Sequence, residues 1–227
     1  PIVLVLVHGG ALALEKLSLL PQVRAIVSAW YPGEQAGEAL ADVLLGAVAP
    51  AGRLPVTAYF SNYTSQILAT DMAMRAWPGR TYRFVQVPVL YPFGFGLSYT
   101  KWAYRNAAVL PTAAPPGASR VVSLTVTNVG EVVSDEVVLL FIRASRFSAE
   151  SSSRDNGAYQ QAHYGNKRLV AFRRLHAVEP SQSIRVQFDV SGERLGSVDA
   201  SGSPYFPSGV VDFVVGLGEA VVTTHVV

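Results

Sequence analysis

The chain has 227 residues, enough for two modest domains or one large one, and with half of them hydrophobic and 15% charged it can bury a proper core rather than stay disordered. The net charge is +2, and Lys/Arg against Asp/Glu runs eight to five over residues 1–107 and ten to eleven over 108–227, so neither half carries the clustered basic surface that nucleic-acid binding needs. Cysteine is absent, which excludes disulfides, thiolate chemistry and Cys-ligated metal.

The chain opens on "PIVLVLV", β-branched and apolar on both faces, the pattern of a central parallel strand covered on two sides. Its apolar run at 2–7 is too short to cross a bilayer, which takes about 20 residues, and it lacks the basic flank of a signal peptide. No membrane insertion is expected. A start at Pro1, directly on a buried-type strand, reads as cut from something longer. The strand runs into His8-Gly9-Gly10, a glycine turn whose histidine caps it or, at the carboxyl end of a parallel strand, touches a ligand. A second strand, "VRAIVSAW" at 23–30, leads into Trp30-Tyr31-Pro32-Gly33-Glu34 on the same expected edge. Aromatic faces there suit a sugar ring, whereas Glu34 serves equally well at the positive end of a following helix. That helix is "GEQAGEALADVLLG", with Ala36, Ala39, Leu40, Val43 and Leu44 on one stripe and Gly46 placed to end it. "GRLPVTAYF" at 52–60 is predicted to return to the sheet.

Next comes "WPGRTYRFVQVPVLYPFGFGLSYT" at 77–100, dense in aromatics but without carboxylate or histidine. Tyr82, Phe84, Tyr91 and Phe93 are predicted to be mostly buried as packing residues. Arg75, Arg80 and Arg83 lie in or beside this stretch. No glycine-rich loop leads from it into a helix, so they read as loop-locking groups stacked on aromatics rather than as a phosphate site.

"VLPTAAPPGAS" at 109–119 is proline-rich and uncharged, the composition of an extended linker. Beyond it the hydrophobic period becomes two. "SIRVQFDV" alternates without a fault, placing Ile184, Val186, Phe188 and Val190 on one face. Further strands are predicted at 121–130, 136–143, 168–175, 209–216 and 220–227, with a long polar loop at 145–166. Short strands punctuated by turns imply an antiparallel β-sandwich. His163, His176 and His225 form no metal-ligand spacing, and no nucleophile-elbow sequence or spaced carboxylate pair marks a catalytic centre. The residues alone give an α/β region with a mainly parallel sheet over 1–108, a linker over 109–119 and an all-β sandwich over 120–227.

Several colinear segments carry a resemblance further. "YPGEQAGEALADVLLGAVAPAGRLPVTAYF", "YPFGFGLSYTKWAY", "TNVGEVVSDEVVLLFI" and "RLVAFRRLHAVEPSQSIRVQFDV" together resemble the C-terminal part of glycoside hydrolase family 3, and "TDMAMRAWPGRTYRF" resembles its β-xylosidase branch. The resemblance implies an α/β sandwich domain followed by a fibronectin-III-like domain, in a retaining exo-glycosidase that uses no cofactor or metal. It implies β-linked xylo- or gluco-oligosaccharide as substrate, arabinofuranosides as an alternative, and an extracellular or vacuolar location. It also implies that the nucleophilic Asp belongs to an N-terminal (β/α)8 barrel and the acid/base Glu to a segment before Pro1. None of this chain's residues would then be catalytic. His8, Trp30, Tyr31 and Glu34 would be cleft candidates, and Asn62, in Asn62-Tyr63-Thr64, a glycosylation candidate. The competing reading is a non-catalytic module that binds carbohydrate or a protein partner.

Overall fold

The computed structural model describes residues 1–115, 117–146, 166–198, 201–205 and 209–226. The chain is rich in sheet and carries few helices, and it divides into two units, Pro1–Leu97 and Ser98–Val227. No described helix is long and apolar enough to cross a membrane.

In the first unit, β1 (Ile2–Leu6) and β2 (Val23–Ser28) pair in parallel, ending with Leu6 opposite Ser28. The crossover between them holds one short helix, α1 (Glu15–Ser18). Helix α2 (Ala36–Leu45) ends where the sequence places its stop, with Gly46 in the left-handed region at φ 82°. A side chain there would be strained, which is why glycine closes this helix. A 3-10 turn (Ser61–Ser65) and the short helix α3 (Thr81–Phe84) follow.

Two expectations fail here. The segment 52–60 forms no strand and makes one isolated antiparallel bridge, Ala58 to Tyr91. Pro55 lacks the N–H a ladder requires, and this interrupts the segment. The first strand is not covered on both faces, since Ile2, Val3 and Val5 are exposed and it has a single partner strand. Helix α2 buries none of its residues fully: Ala36, Leu40 and Val43 of its stripe are half-buried, and Ala39 and Leu44 are exposed. Tyr82, Phe84, Tyr91 and Phe93, expected to be mostly buried, each keep only a minor part of their surface exposed. Tyr82 stacks on Phe93 at 4.3 Å and Tyr91 on Phe95 at 5.1 Å, so the rings shield one another instead of a shared core.

The second unit is built from two sheets. β3 (Trp102–Leu110), β5 (Arg120–Asn128) and β8 (Ser183–Val190) form an antiparallel three-stranded sheet in the order β3-β5-β8. β4 (Ala113–Ala114), β6 (Ser134–Arg146), β7 (Arg168–Val178), β11 (Gly209–Val215) and β12 (Ala220–Val226) form the other, ordered β4-β12-β11-β6-β7. All its pairs are antiparallel except β4 with β12. The two-residue strands β9 (Ser197–Val198) and β10 (Pro204–Tyr205) pair with each other. One core lies between the large sheets. Val122, Leu124, Val126, Val186, Phe188 and Val190 come from one side, and Val138, Leu140, Ile142, Val211, Phe213 and Val215 from the other. Val186, predicted from alternation alone, is 0% exposed and faces Leu124 across the β5–β8 ladder, while Ile184 packs half-buried at the margin.

Polar residues close both ends of the inward row of β5. Asn128 is fully buried, and its amide is satisfied on every side. Oδ1 accepts from Thr100 Oγ1 (2.5 Å) and Gly130 N (3.1 Å), and Nδ2 donates to Val132 O (2.8 Å) and Val178 O (2.9 Å). At the other end the buried Arg120 donates to Ala118 O, Ala114 O, His225 O and Thr224 Oγ1. Uncompensated burial of either group would cost a few kcal/mol, so these bonds are a condition of the fold.

The two units meet between Leu97 and Ser98. Trp102–Leu110 is an edge strand of the second unit, and the stretch expected as an extended linker at 109–119 completes β3, forms β4 and is held by Arg120. Most of the polar loop expected at 145–166, with His163, lies outside the described residues.

Candidate functional site

Because β1 and β2 are parallel and in register, their carboxyl ends release the chain side by side. The ladder continues briefly beyond the strands, with Ala29 N donating to Leu6 O (2.9 Å) and His8 N to Trp30 O (3.2 Å). This pairing brings His8 and Trp30 together, their ring centroids 4.8 Å apart and tilted by 37°.

The half-buried His8 is fixed at both nitrogens. Nδ1 lies 2.5 Å from Gly10 O and Nε2 lies 2.7 Å from Ser28 Oγ. A carbonyl only accepts, so Nδ1 carries a proton, and in the neutral ring Nε2 accepts from the Ser28 hydroxyl. The hydroxyl–imidazole pair has the first two members of a nucleophile relay. Its third partner is a neutral carbonyl, which stabilises an imidazolium far less than a buried carboxylate does. The pair is suited to hydrogen bonding a polar ligand rather than to acyl transfer.

Trp30 holds φ at 52°, a left-handed conformation that costs a non-glycine residue on the order of 1 kcal/mol. Tyr31 is 77% exposed. Its ring lies so close over the Gly9 backbone that a Cβ on Gly9 would sit 2.7 Å from it. A side chain on Gly9 would push this exposed ring aside, so glycine here lets the Tyr31 ring lie against the turn. Glu34 is exposed, two residues ahead of α2, and makes no hydrogen bond among the described residues. Glu38 is the acidic residue in the first turn of that helix. Of the four cleft candidates, contacts join His8 to Trp30 and bring Tyr31 over the His8-Gly9-Gly10 turn, and they do not reach Glu34.

The sequence reading missed Ser28 and the contact between the Tyr31 ring and Gly9. The signal for Ser28 was the end-to-end alignment of two parallel strands, which places the last residue of β2 beside the residues that follow β1. For Gly9 no local signal exists, because the contact is with a ring 22 residues later.

The arginines behave as loop locks. Arg80 Nη2 donates to Leu68 O (2.8 Å) and Asp71 O (2.5 Å), while the Arg75 and Arg83 guanidinium carbons lie 5.3 and 5.0 Å from the Phe84 ring centroid. His176 Nδ1 is 3.2 Å from Asp135 Oδ2 on the second unit, and the His225 main chain accepts from Arg120. Among the described residues, no three His, Asp or Glu side chains are grouped to hold a metal ion.

Residues 1–99 match the glycosyl hydrolase family 3 C-terminal domain. The probable exo-1,4-β-xylosidase bxlB of Aspergillus flavus is 38% identical over 215 residues, covering 87% of this chain and 26% of that protein. β-D-xylosidase 1 of Arabidopsis thaliana is 32% identical over 236 residues, covering 92% and 30%. Among solved structures, a family 3 exo-β-xylosidase, XlnD, in complex with a xylobiose aziridine activity-based probe superposes with a TM-score of 0.84 at 26% identity, over 100% of this chain and 31% of that one. The β-D-glucoside glucohydrolase of Trichoderma reesei gives 0.79 at 29%, over 99% and 33%. The chain thus spans less than a third of the length of these relatives.

Proposed function

The chain belongs, through residues 1–99, to the glycosyl hydrolase family 3 C-terminal domain family, and from that premise we propose that it is the C-terminal region of a retaining exo-glycosidase acting on β-linked xylosides. The exo-β-xylosidase relatives, matched along 87% and more of the chain, carry this reading. The first unit is then part of an α/β sandwich domain. The exposed apolar side chains of β1 and of Leu44 and Leu45 support this, since such faces belong against further layers. The second unit is a fibronectin-III-like domain, a reading supported by two sheets sharing one core.

Retaining hydrolysis takes a nucleophile and an acid/base whose carboxyl groups are about 5 Å apart. Glu34 is the carboxylate adjoining the candidate cleft, and one carboxylate cannot both form and resolve a glycosyl-enzyme intermediate. Catalysis therefore falls to carboxylates outside these residues. His8 with Ser28, and the faces of Trp30 and Tyr31, contribute a wall that binds sugar hydroxyls and ring faces.

A xylosyl aziridine, which alkylates the nucleophilic carboxylate of a retaining enzyme, tests the assignment. After labelling of the full-length protein and digestion, the modified peptide is expected outside residues 1–227. A label on Glu34, or no label on a correctly folded protein, contradicts the proposal.

A further inference from the structure

We propose that Asn62 is an acceptor for N-linked glycan. Among the chain's asparagines, only Asn62 is followed two positions later by Ser or Thr, in Asn62-Tyr63-Thr64. Such triplets arise by chance, and what separates this one is its setting.

The triplet occupies the 3-10 turn Ser61–Ser65, and its three side chains part ways. Tyr63 turns inward and is buried, stacking on Tyr59 at 3.9 Å and donating to Gly79 O at 2.7 Å. Asn62 and Thr64 are exposed. The Asn62 main-chain carbonyl accepts from Ser65 Oγ (2.7 Å) and Gln66 Nε2 (3.3 Å), but its side-chain amide makes no hydrogen bond among the described residues. Thr64 Oγ1 donates to Ser61 O at 3.0 Å, a local bond that any solvent-facing hydroxyl of a turn can make. The turn is therefore pinned from below by an aromatic residue, while the amide that would carry a bulky polar group meets only water. Nothing in the unit would have to move to accept it.

The donor is an oligosaccharide linked through pyrophosphate to a lipid. Asn62 Nδ2 attacks the anomeric carbon of its terminal N-acetylglucosamine. The new C–N bond forms as the C–O bond to pyrophosphate breaks; the amide gives up one proton, and the lipid pyrophosphate leaves. A glycan fixed at this turn keeps the surface around Asn62 in solvent, so that surface is no interface in a longer enzyme.

The test is to direct the chain through the secretory pathway of a eukaryotic host, with a second acceptor triplet appended at the C-terminus as an internal control. The tryptic peptide 54–75, which contains Asn62, is expected to carry N-acetylhexosamine, and an amidase that releases N-glycans should deamidate Asn62. Asn62→Gln and Thr64→Val should each abolish the modification while secretion and melting stay unchanged, because both positions are exposed. Thr64→Ser should retain part of it. An unmodified peptide 54–75 in secreted protein whose appended triplet is glycosylated overturns the proposal. So does a Thr64→Val protein that stays modified at Asn62.

Discussion

Arg120 Nε donates to Thr224 Oγ1 at 3.1 Å, joining positions 104 residues apart, and the Thr224 hydroxyl in turn donates a hydrogen bond to Thr112 O at 2.9 Å. With its bonds to Ala114 O and Ala118 O, the guanidinium fastens the proline-rich stretch before β5 to strand β12. Arg120→Met removes these donors while filling much of the volume, and takes the guanidinium bonds from the buried Ala114 carbonyl and the part-buried Ala118 and His225 carbonyls. The second unit should lose about 3 kcal/mol in urea denaturation. A midpoint equal to the parent's would show that the clamp is dispensable.

Val186 sits at the centre of the shared core, 0% exposed. An unpaired carboxylate there costs about 3–5 kcal/mol, a large part of a domain's stability. Val186→Asp should unfold the second unit, with loss of its cooperative melting transition. A variant that melts like the parent would put the strand face in error.

Gly79 holds φ at 75°, and a Cβ there would fall 1.9 Å from Phe84 O. The backbone of α3 has to move to admit it. Gly79→Ala should destabilise the turn by about 2 kcal/mol and speed amide exchange at Gln86, whose N–H is bonded to Pro78 O at 2.8 Å. Unchanged exchange at Gln86 would refute the close approach.

Asp135 gives a pH dependence of known sign. Burial pushes its carboxyl pKa up, but the Ala177 N–H (2.8 Å) and the Arg174 guanidinium (2.7 Å), with His176 beside them, outweigh this and hold it below the ordinary value. A depressed carboxyl pKa stabilises above the unfolded value of about 3.9, and that stability is lost as pH falls through the folded value. Asp135→Asn should therefore cost about 1–2 kcal/mol at pH 7 and little in strong acid. An equal deficit at both would trace the loss to packing rather than charge.

Where structure follows local period, it was legible in the sequence. The alternation of Ile184, Val186, Phe188 and Val190 gave β8 and its inner face, and Gly46 gave the end of α2. Strand β3 was not legible. Asn106 at φ 53° and a register shift between Arg105 and Ala108 break its alternation, so the period-two pattern never declares itself. The proline-rich stretch at 109–119 read as an extended linker because two residues that bond to it, Thr224 and His225, are more than a hundred positions away from Pro111 and Thr112. At the candidate site, His8, Trp30 and Tyr31 stood out as chemistry-bearing residues after strands. The Ser28 contact depends on the register of β1 against β2, a property of the pair and of neither strand alone.

The most direct measurement concerns where the chemistry resides. Purified 1–227, the full-length parent and the fragment with Glu34→Gln are each incubated with nitrophenyl xyloside and nitrophenyl glucoside. Turnover is expected from the parent alone, preferring the xyloside, because one carboxylate near the cleft cannot complete a retaining cycle. Turnover by the fragment that disappears with Glu34→Gln would contradict this and put the catalytic centre within these residues.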